Sequence, residues 1–77
     1  MITKADKKDL KIEYLFPKKK LRSARLAREV TTKQMADAIG VSREQYEKKE
    51  AGKFPFNDYE MIVISKKLEE KVMDLFF

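Results

Sequence analysis

Two helix-start signals, separated by a glycine, constrain the middle of the chain more than any other feature of the sequence. The first is Thr31-Thr32, which offers a hydroxyl N-cap. Met35, Ala36 and Ile39 follow it at helical spacing. Gly40 stands just past them, where a residue in the left-handed conformation would end a helix. This pattern predicts a short helix that begins near Thr32 and ends at Ile39.

The second start signal is Ser42, which comes two residues after that glycine. Gln45 stands three residues further on and completes the pattern of a capping box. The helix that this signal opens runs to about Ala51, and Gly52 is its stop. The 77 residues contain only 2 glycines, and each stands at the end of one of these two helices.

The two helices have the features of a helix-turn-helix. Ala36 is small enough to let them approach, and Val41 fills the angle between them. The residues that we expect in their shared core are Met35, Ile39, Val41 and Tyr46. In such a motif the first helix supports the second, whose outer face can enter a DNA major groove. The alternative is an ordinary pair of helices in a small bundle.

Helical spacing also dominates the rest of the chain after Pro17, so we predict an all-α domain over residues 18–77. A first helix runs from Lys18 to about Glu29, with Leu21, Ala24 and Arg28 on one face and Arg25 beside them. A later helix opens at Asn57 with Glu60 as its cap partner and carries Met61, Ile64 and Leu68. A last short helix holds Val72, Leu75 and Phe76.

Residues 1–17 are predicted to form an extended N-terminal arm. Its first nine residues are rich in Lys and Asp, and Leu10, Ile12 and Tyr14 then alternate with charged residues as in a short strand. This strand, which ends at Phe16, would pair with the same segment of a second copy across a two-fold axis. The end of the chain, residues 75–77, is the competing dimer surface. Alternatively, the arm covers the protein's own core.

Composition excludes several classes of function. The chain contains no Cys and no His, which excludes disulfides, thiolate metal sites, imidazole catalysis and His-ligated metals. We expect no cofactor, no metal and no enzymatic activity, because no paired carboxylate site is visible. No apolar run approaches the roughly 18 residues of a membrane helix, and no secretory signal is visible. The expected location is the cytoplasm, without a membrane partner.

Positive charge is concentrated in the middle of the chain. The net charge is +1 over residues 1–17, +6 over residues 18–53 and −2 over residues 54–77, which gives +5 for the whole chain. A basic centre predicts an anionic partner that contacts this centre, and nucleic acid is the leading candidate. The alternative is that these side chains only solvate the helices.

The sequence from Lys20 to about Phe77 resembles the phage repressor and Cro-like helix-turn-helix family, also called the XRE family. The resemblance rests on Gln45–Gly52, Pro55-Phe56, Glu60-Met61 and the ending Asp74–Phe77, which are similar to small regulators of phages and integrative elements. It implies a five-helix, repressor-like all-α fold. It also implies a homodimer that binds a double-stranded DNA operator and controls transcription, most often as a repressor.

The resemblance assigns roles to individual residues. It places a phosphate contact at Thr32 and a backbone contact at Lys53, and Ser42 would donate to phosphate as well as cap its helix. The residues that it places on the base-reading face are Arg43, Glu44, Glu47 and Lys48. In these roles an arginine would contact a guanine edge and a glutamate would accept from a cytosine amino group. For each charged residue the alternative is simple solvation.

The resemblance also implies structural roles and shows departures from the family. It pairs Arg25 with Glu50, which would fix the pose of the recognition helix. Glu29 stands where the family has glycine, so the first helix must end without a relaxed left-handed residue. Lys49 stands at a commonly apolar position. Its stem would cover the core while its amine reaches solvent, or the amine would reach a phosphate.

Two further groups of residues have open interpretations. The aromatic residues near the end of the chain are Phe54, Phe56, Tyr59, Phe76 and Phe77. They indicate core packing and subunit contact more than stacking on single-stranded bases. Lys18-Lys19-Lys20 is either a flexible arm near the DNA backbone or a solvated start of the first helix.

A second function remains open beside DNA binding. Three glutamates of the recognition helix, Glu44, Glu47 and Glu50, are expected to lower its non-specific affinity for DNA, which would either sharpen discrimination between sequences or indicate that the DNA role has been lost. They favour a module that keeps the fold but binds a protein, such as an antirepressor or antitoxin. A regulatory protein partner is also compatible with the first function.

Overall fold

Five helices follow one another along residues 15–77, the part of the chain that this computed structural model describes. They are α1 (Lys19–Ala27), α2 (Thr32–Ile39), α3 (Arg43–Glu50), α4 (Asp58–Leu68) and α5 (Val72–Phe76). The described residues contain no strand, so the all-α prediction is confirmed for them. A strand was predicted within residues 10–16. Its first five residues lie outside the described part of the chain, and its last two, Leu15 and Phe16, belong to no regular element.

Both predicted helix starts in the middle of the chain are capping boxes. The Thr31 hydroxyl accepts from the backbone N–H of Gln34 at 3.1 Å, and the Gln34 side chain accepts from the N–H of Thr31 at 2.9 Å. Ser42 and Gln45 make the same reciprocal pair at 3.1 and 3.2 Å. Gly40 is left-handed, with φ 73°, as its place after α2 predicts. Local sequence signals therefore define α2, the turn and the start of α3.

Two helices end through a glutamate in a conformation that usually requires glycine. Glu29 after α1 has φ 56°, and Glu69 after α4 has φ 55°. At the first of these ends, the N–H of Val30 reaches back to the carbonyl of Arg25 at 3.1 Å, which closes the turn. The helix α1 consequently ends at Ala27, two residues before the predicted end.

The hydrophobic core includes residues from all five helices and from the loop before α4. Its buried apolar members are Leu21, Met35, Ala36, Ile39, Tyr46, Phe56, Ile64, Leu68, Leu75 and Phe76. Val41 packs against this cluster from the turn between α2 and α3, and its N–H donates to the carbonyl of Ala36 at 3.0 Å. The shared core predicted for α2 and α3 is therefore present.

The aromatic residues divide into a buried and an exposed group. Phe56 lies edge-on between Tyr46 and Phe76, with ring centroids 5.9 and 5.1 Å away. The exposed rings are Phe16, Phe54, Tyr59 and Phe77. Leu75 and Phe76 are nearly fully buried, which corrects their prediction as part of a dimer surface. Of those three C-terminal residues only Phe77 is available to a partner.

The face predicted for α1 also needs a correction. Leu21 is fully buried, but the second buried side chain is Arg25, and Arg28 lies at the surface. Arg28 forms an ion pair of 2.9 Å with Glu70, between α4 and α5. None of the helices in residues 15–77 has both the length and the apolar character that crossing a membrane requires.

The chain segment before α1 packs against the end of α3. The N–H of Lys18 donates to the carbonyl of Glu50 at 2.8 Å. Gly52 has φ 85°, and a Cβ added there would come within 2.6 Å of the Phe16 carbonyl oxygen and the Pro17 nitrogen. The second glycine therefore does more than end α3, because its missing side chain makes room for this segment.

Candidate nucleic-acid interface

A buried polar network fixes the inner side of α3 to α1. The Arg25 guanidinium donates to both carboxylate oxygens of Glu50, from Nε and Nη2, at 2.9 Å each. The Tyr46 hydroxyl donates to Glu50 Oε2 at 2.6 Å, and Arg25 Nη1 donates to the carbonyl of Val30 at 3.0 Å. The pair that the family resemblance implies is thus present, with both side chains buried.

The network also sets the ionisation of its members. The hydrogen bond to Glu50 raises the pKa of Arg25 above its ordinary value, although desolvation acts in the opposite direction. Burial raises the pKa of Tyr46, and its hydrogen bond to Glu50 raises it further. At neutral pH the guanidinium is therefore charged and the phenol is neutral, so each keeps the protons that it donates.

Lys49 pairs with a buried carboxylate instead of extending its amine into solvent, which corrects its predicted position. Its ammonium donates to Glu60 Oε1 at 3.0 Å and to the carbonyl of Pro55 at 2.9 Å. The Glu60 side chain is almost completely buried, and it also accepts from the N–H of Asn57 at 2.8 Å. A buried carboxylate needs a partner, so Lys49 connects α3 to the start of α4.

The four residues predicted to read bases lie together on the outward side of α3. Arg43 Nε is 3.9 Å from a carboxylate oxygen of Glu47, and Lys48 Nζ is 3.4 Å from one of Glu44. Both are i,i+4 pairs between solvent-exposed side chains. Such pairs contribute little to stability, about 0.3–0.5 kcal/mol each. These side chains can therefore break their ion pairs and bind other groups at a small cost in free energy.

Thr32 is joined to this outward face across the angle between α2 and α3. Its hydroxyl donates to Glu47 Oε2 at 2.7 Å. The family resemblance assigns the two residues separate roles, as a phosphate contact and as a base reader. They are 15 positions apart, so no local spacing indicates the contact.

The remaining predicted contacts, Ser42 and Lys53, lie at the two ends of α3. The Ser42 hydroxyl caps the helix and is exposed. Lys53 is exposed beyond the other end, and its N–H donates to the carbonyl of Lys48 at 2.9 Å. A shallow groove of about 310 Å³ is lined by Glu44, Glu47, Lys48, Ala51 and Lys53. Six of the seven residues predicted to contact DNA thus belong to α3 or its immediate flanks, and the seventh, Thr32, begins α2 and contacts α3 through Glu47.

A second groove on the other flank of α3 was not predicted. We call it the α1–α3 groove; it measures about 370 Å³ and is lined by Pro17, Lys18, Lys19, Arg22, Glu47, Glu50 and Ala51. The Lys18 ammonium lies 3.9 Å from the centre of the Phe16 ring, and burial lowers the pKa of Lys18. Lys18 is therefore held in place, contrary to the flexible arm considered for residues 18–20, and Lys19 and Lys20 form the first turn of α1.

Among residues 15–77 there is no cluster of acidic side chains that could hold a metal ion. Comparisons with known proteins give no further assignment: no family model, no curated protein and no solved structure matches this chain.

Proposed function

We propose that this chain is a sequence-specific, double-stranded DNA-binding regulator of transcription, of the repressor and Cro-like helix-turn-helix type, and that it acts as a repressor. The observation that carries the proposal is the fixed presentation of α3. Its inner side is tied to α1 by Arg25–Glu50 and to α4 by Lys49–Glu60, while its outer side is open to solvent. A helix held in this way can enter a major groove without rearrangement.

In this proposal phosphate contacts position the protein and side chains of α3 read the sequence. Arg43 contacts the edge of a guanine with its guanidinium, and Glu44 accepts from the amino group of a cytosine. Glu47 and Lys48 lie one turn further along the same face. The contacts to phosphate come from Thr32, Ser42 and Lys53.

The proposed protein binds as a homodimer in the cytoplasm. Two copies related by a two-fold axis would present matching recognition helices to the half-sites of a palindromic operator. No cofactor takes part, so control comes from the concentration of the protein or from a regulatory protein partner.

The test begins by selecting bound sequences from a random duplex pool. Arg43→Ala should then weaken binding to the selected operator by about 1–3 kcal/mol and relax the preference at one base pair. Lys66→Ala, which removes an equal charge from the exposed side of α4, is the matched control. An equal loss of affinity for every duplex sequence would make Arg43 a phosphate contact. A pool in which no sequence is enriched would contradict sequence-specific binding.

A protein-binding module is the second candidate, and the ion pairs on the outward face of α3 favour it. Arg43 and Lys48 each have an acidic neighbour, so the outward face carries little net charge. In addition, two large hydrophobic side chains of α4, Tyr59 and Ile62, are at least half exposed and are available to a protein partner. A salt series separates the two candidates. Affinity of a DNA regulator for random duplex falls steeply as salt rises, whereas a protein-binding module shows no such duplex binding.

A further inference from the structure

We propose that the α1–α3 groove binds a phosphate of the DNA backbone through Lys19 and Arg22, and that Glu47 competes with this phosphate in the free protein. The inference rests on the proposed function and adds two things to it. It names a contact region on α1, which the family resemblance did not assign. It also makes Glu47 an anion that competes with the DNA phosphate, instead of a residue that reads bases.

The cations of the groove come from the first turn of α1. Lys19 and Arg22 are three residues apart, which places them on one side of the helix, and both are exposed. Neither forms an ion pair with another residue of the described part of the chain. Lys18 lies over the Phe16 ring, so we do not count it among the phosphate ligands.

The α1–α3 groove adjoins the groove of Lys48 and Lys53 on α3. Glu47 and Ala51 line both the α1–α3 groove and the groove of Lys48 and Lys53, so the two grooves meet along α3. A helix inserted in a major groove has a phosphate backbone on each side. Lys53 would contact one backbone, while Lys19 and Arg22 would contact the other.

Glu47 lies near four groups with an affinity for phosphate. Its carboxylate accepts from the Thr32 hydroxyl at 2.7 Å, stands 3.9 Å from Arg43 Nε, and lines the same groove as the two α1 cations. A DNA phosphate that approached this point would meet a carboxylate of the same charge and would have to displace it from Thr32. Glu47 should therefore weaken binding to every duplex that does not compensate this cost with base contacts.

The first experiment removes the cations. We expect the double variant Lys19→Gln and Arg22→Gln to bind random and selected duplexes more weakly by the same factor. The slope of log affinity against log salt should fall by about 1, the value for one lost phosphate contact. The control is Lys66→Gln with Lys67→Gln, which removes two exposed charges from α4. Equal slopes for the two double variants would overturn the proposal.

The second experiment removes the competing charge. Glu47→Gln keeps the size of the side chain and its ability to accept a hydrogen bond from Thr32. It should raise the affinity for random duplex several-fold and reduce the ratio of the affinity for the selected operator to that for random duplex. Unchanged affinity for random duplex, together with a changed preference at one base pair, would overturn the competing role and restore Glu47 as a base reader. If the unmodified protein binds no duplex at any salt concentration, the proposed function itself fails.

Discussion

Glu50 accepts three hydrogen bonds at the end of α3, two from Arg25 and one from Tyr46. Removing one partner of a buried ion pair typically costs 3–5 kcal/mol, about as much as a small domain has available. Tyr46 is the partner that can be changed without leaving a charge unpaired, because Arg25 still neutralises the carboxylate. It is therefore the residue through which the network is best tested.

We predict that Tyr46→Phe lowers the free energy of unfolding by about 1–3 kcal/mol at pH 7, because a buried hydrogen bond to a charged group is lost. Urea unfolding followed by circular dichroism measures this difference. The control is Tyr59→Phe, since the Tyr59 side chain is 60% exposed and should change stability little. Equal effects of the two substitutions would contradict the role of the network.

A comparison of the unmodified protein with Tyr46→Phe also tests the raised pKa of Tyr46. A raised pKa in the folded state means that this contribution to stability is complete below the unfolded pKa of about 10 and is lost as pH rises toward the folded value. Between pH 10 and 11 the unmodified protein should lose up to about 1.4 kcal/mol more stability than Tyr46→Phe. Parallel pH profiles of the two proteins would contradict the prediction.

The connections between elements depend on two left-handed glycines that differ in their surroundings. A Cβ on Gly40 would meet nothing within 4 Å, whereas one on Gly52 would clash with the peptide between Phe16 and Pro17. Gly40→Ala should therefore cost about 1 kcal/mol, from backbone conformation alone. Gly52→Ala should cost about 2 kcal/mol or more, because the segment before α1 must also shift. Thermal unfolding compares the two variants, and equal costs would show that this segment does not pack on α3 in solution.

The junction of α2 with α3 depends on the small side chain of Ala36, which is almost fully buried. Ala36→Leu should destabilise the domain by about 1–3 kcal/mol through overpacking. Ala38 on the same helix is only partly buried, so Ala38→Leu should cost less. A melting temperature for Ala36→Leu equal to that of the unmodified protein would contradict the close approach of the two helices.

The sequence predicts those elements whose signals are local. The capping boxes at Thr31 and Ser42 each join residues only three positions apart, and the left-handed Gly40 follows directly from its place after α2. The contacts Thr32–Glu47 and Lys49–Glu60 join residues 15 and 11 positions apart, so no spacing rule reveals them. The Arg25–Glu50 pair, 25 positions apart, was predicted only through the family resemblance.

At the scale of the whole molecule, the described core lies entirely between Leu21 and Phe76. A protein that lacks residues 1–14 retains every residue of this core, and we predict that its melting temperature stays within a few degrees of that of the full chain. Light scattering of the shortened protein then tests the predicted dimer strand. A folded monomer would support a role of the arm in dimer formation, and a folded dimer would exclude the arm from the interface. Failure to fold would contradict a self-sufficient core.

The glutamates that end α1 and α4 also have a consequence for the tolerance of the whole protein to heat. Glu29 and Glu69 adopt a backbone conformation that is unfavourable for any residue with a Cβ, by about 1 kcal/mol. Neither residue belongs to the outward face of α3. The domain is therefore not as heat-resistant as its own architecture permits, and both positions could be improved by engineering without altering the surface proposed to meet DNA.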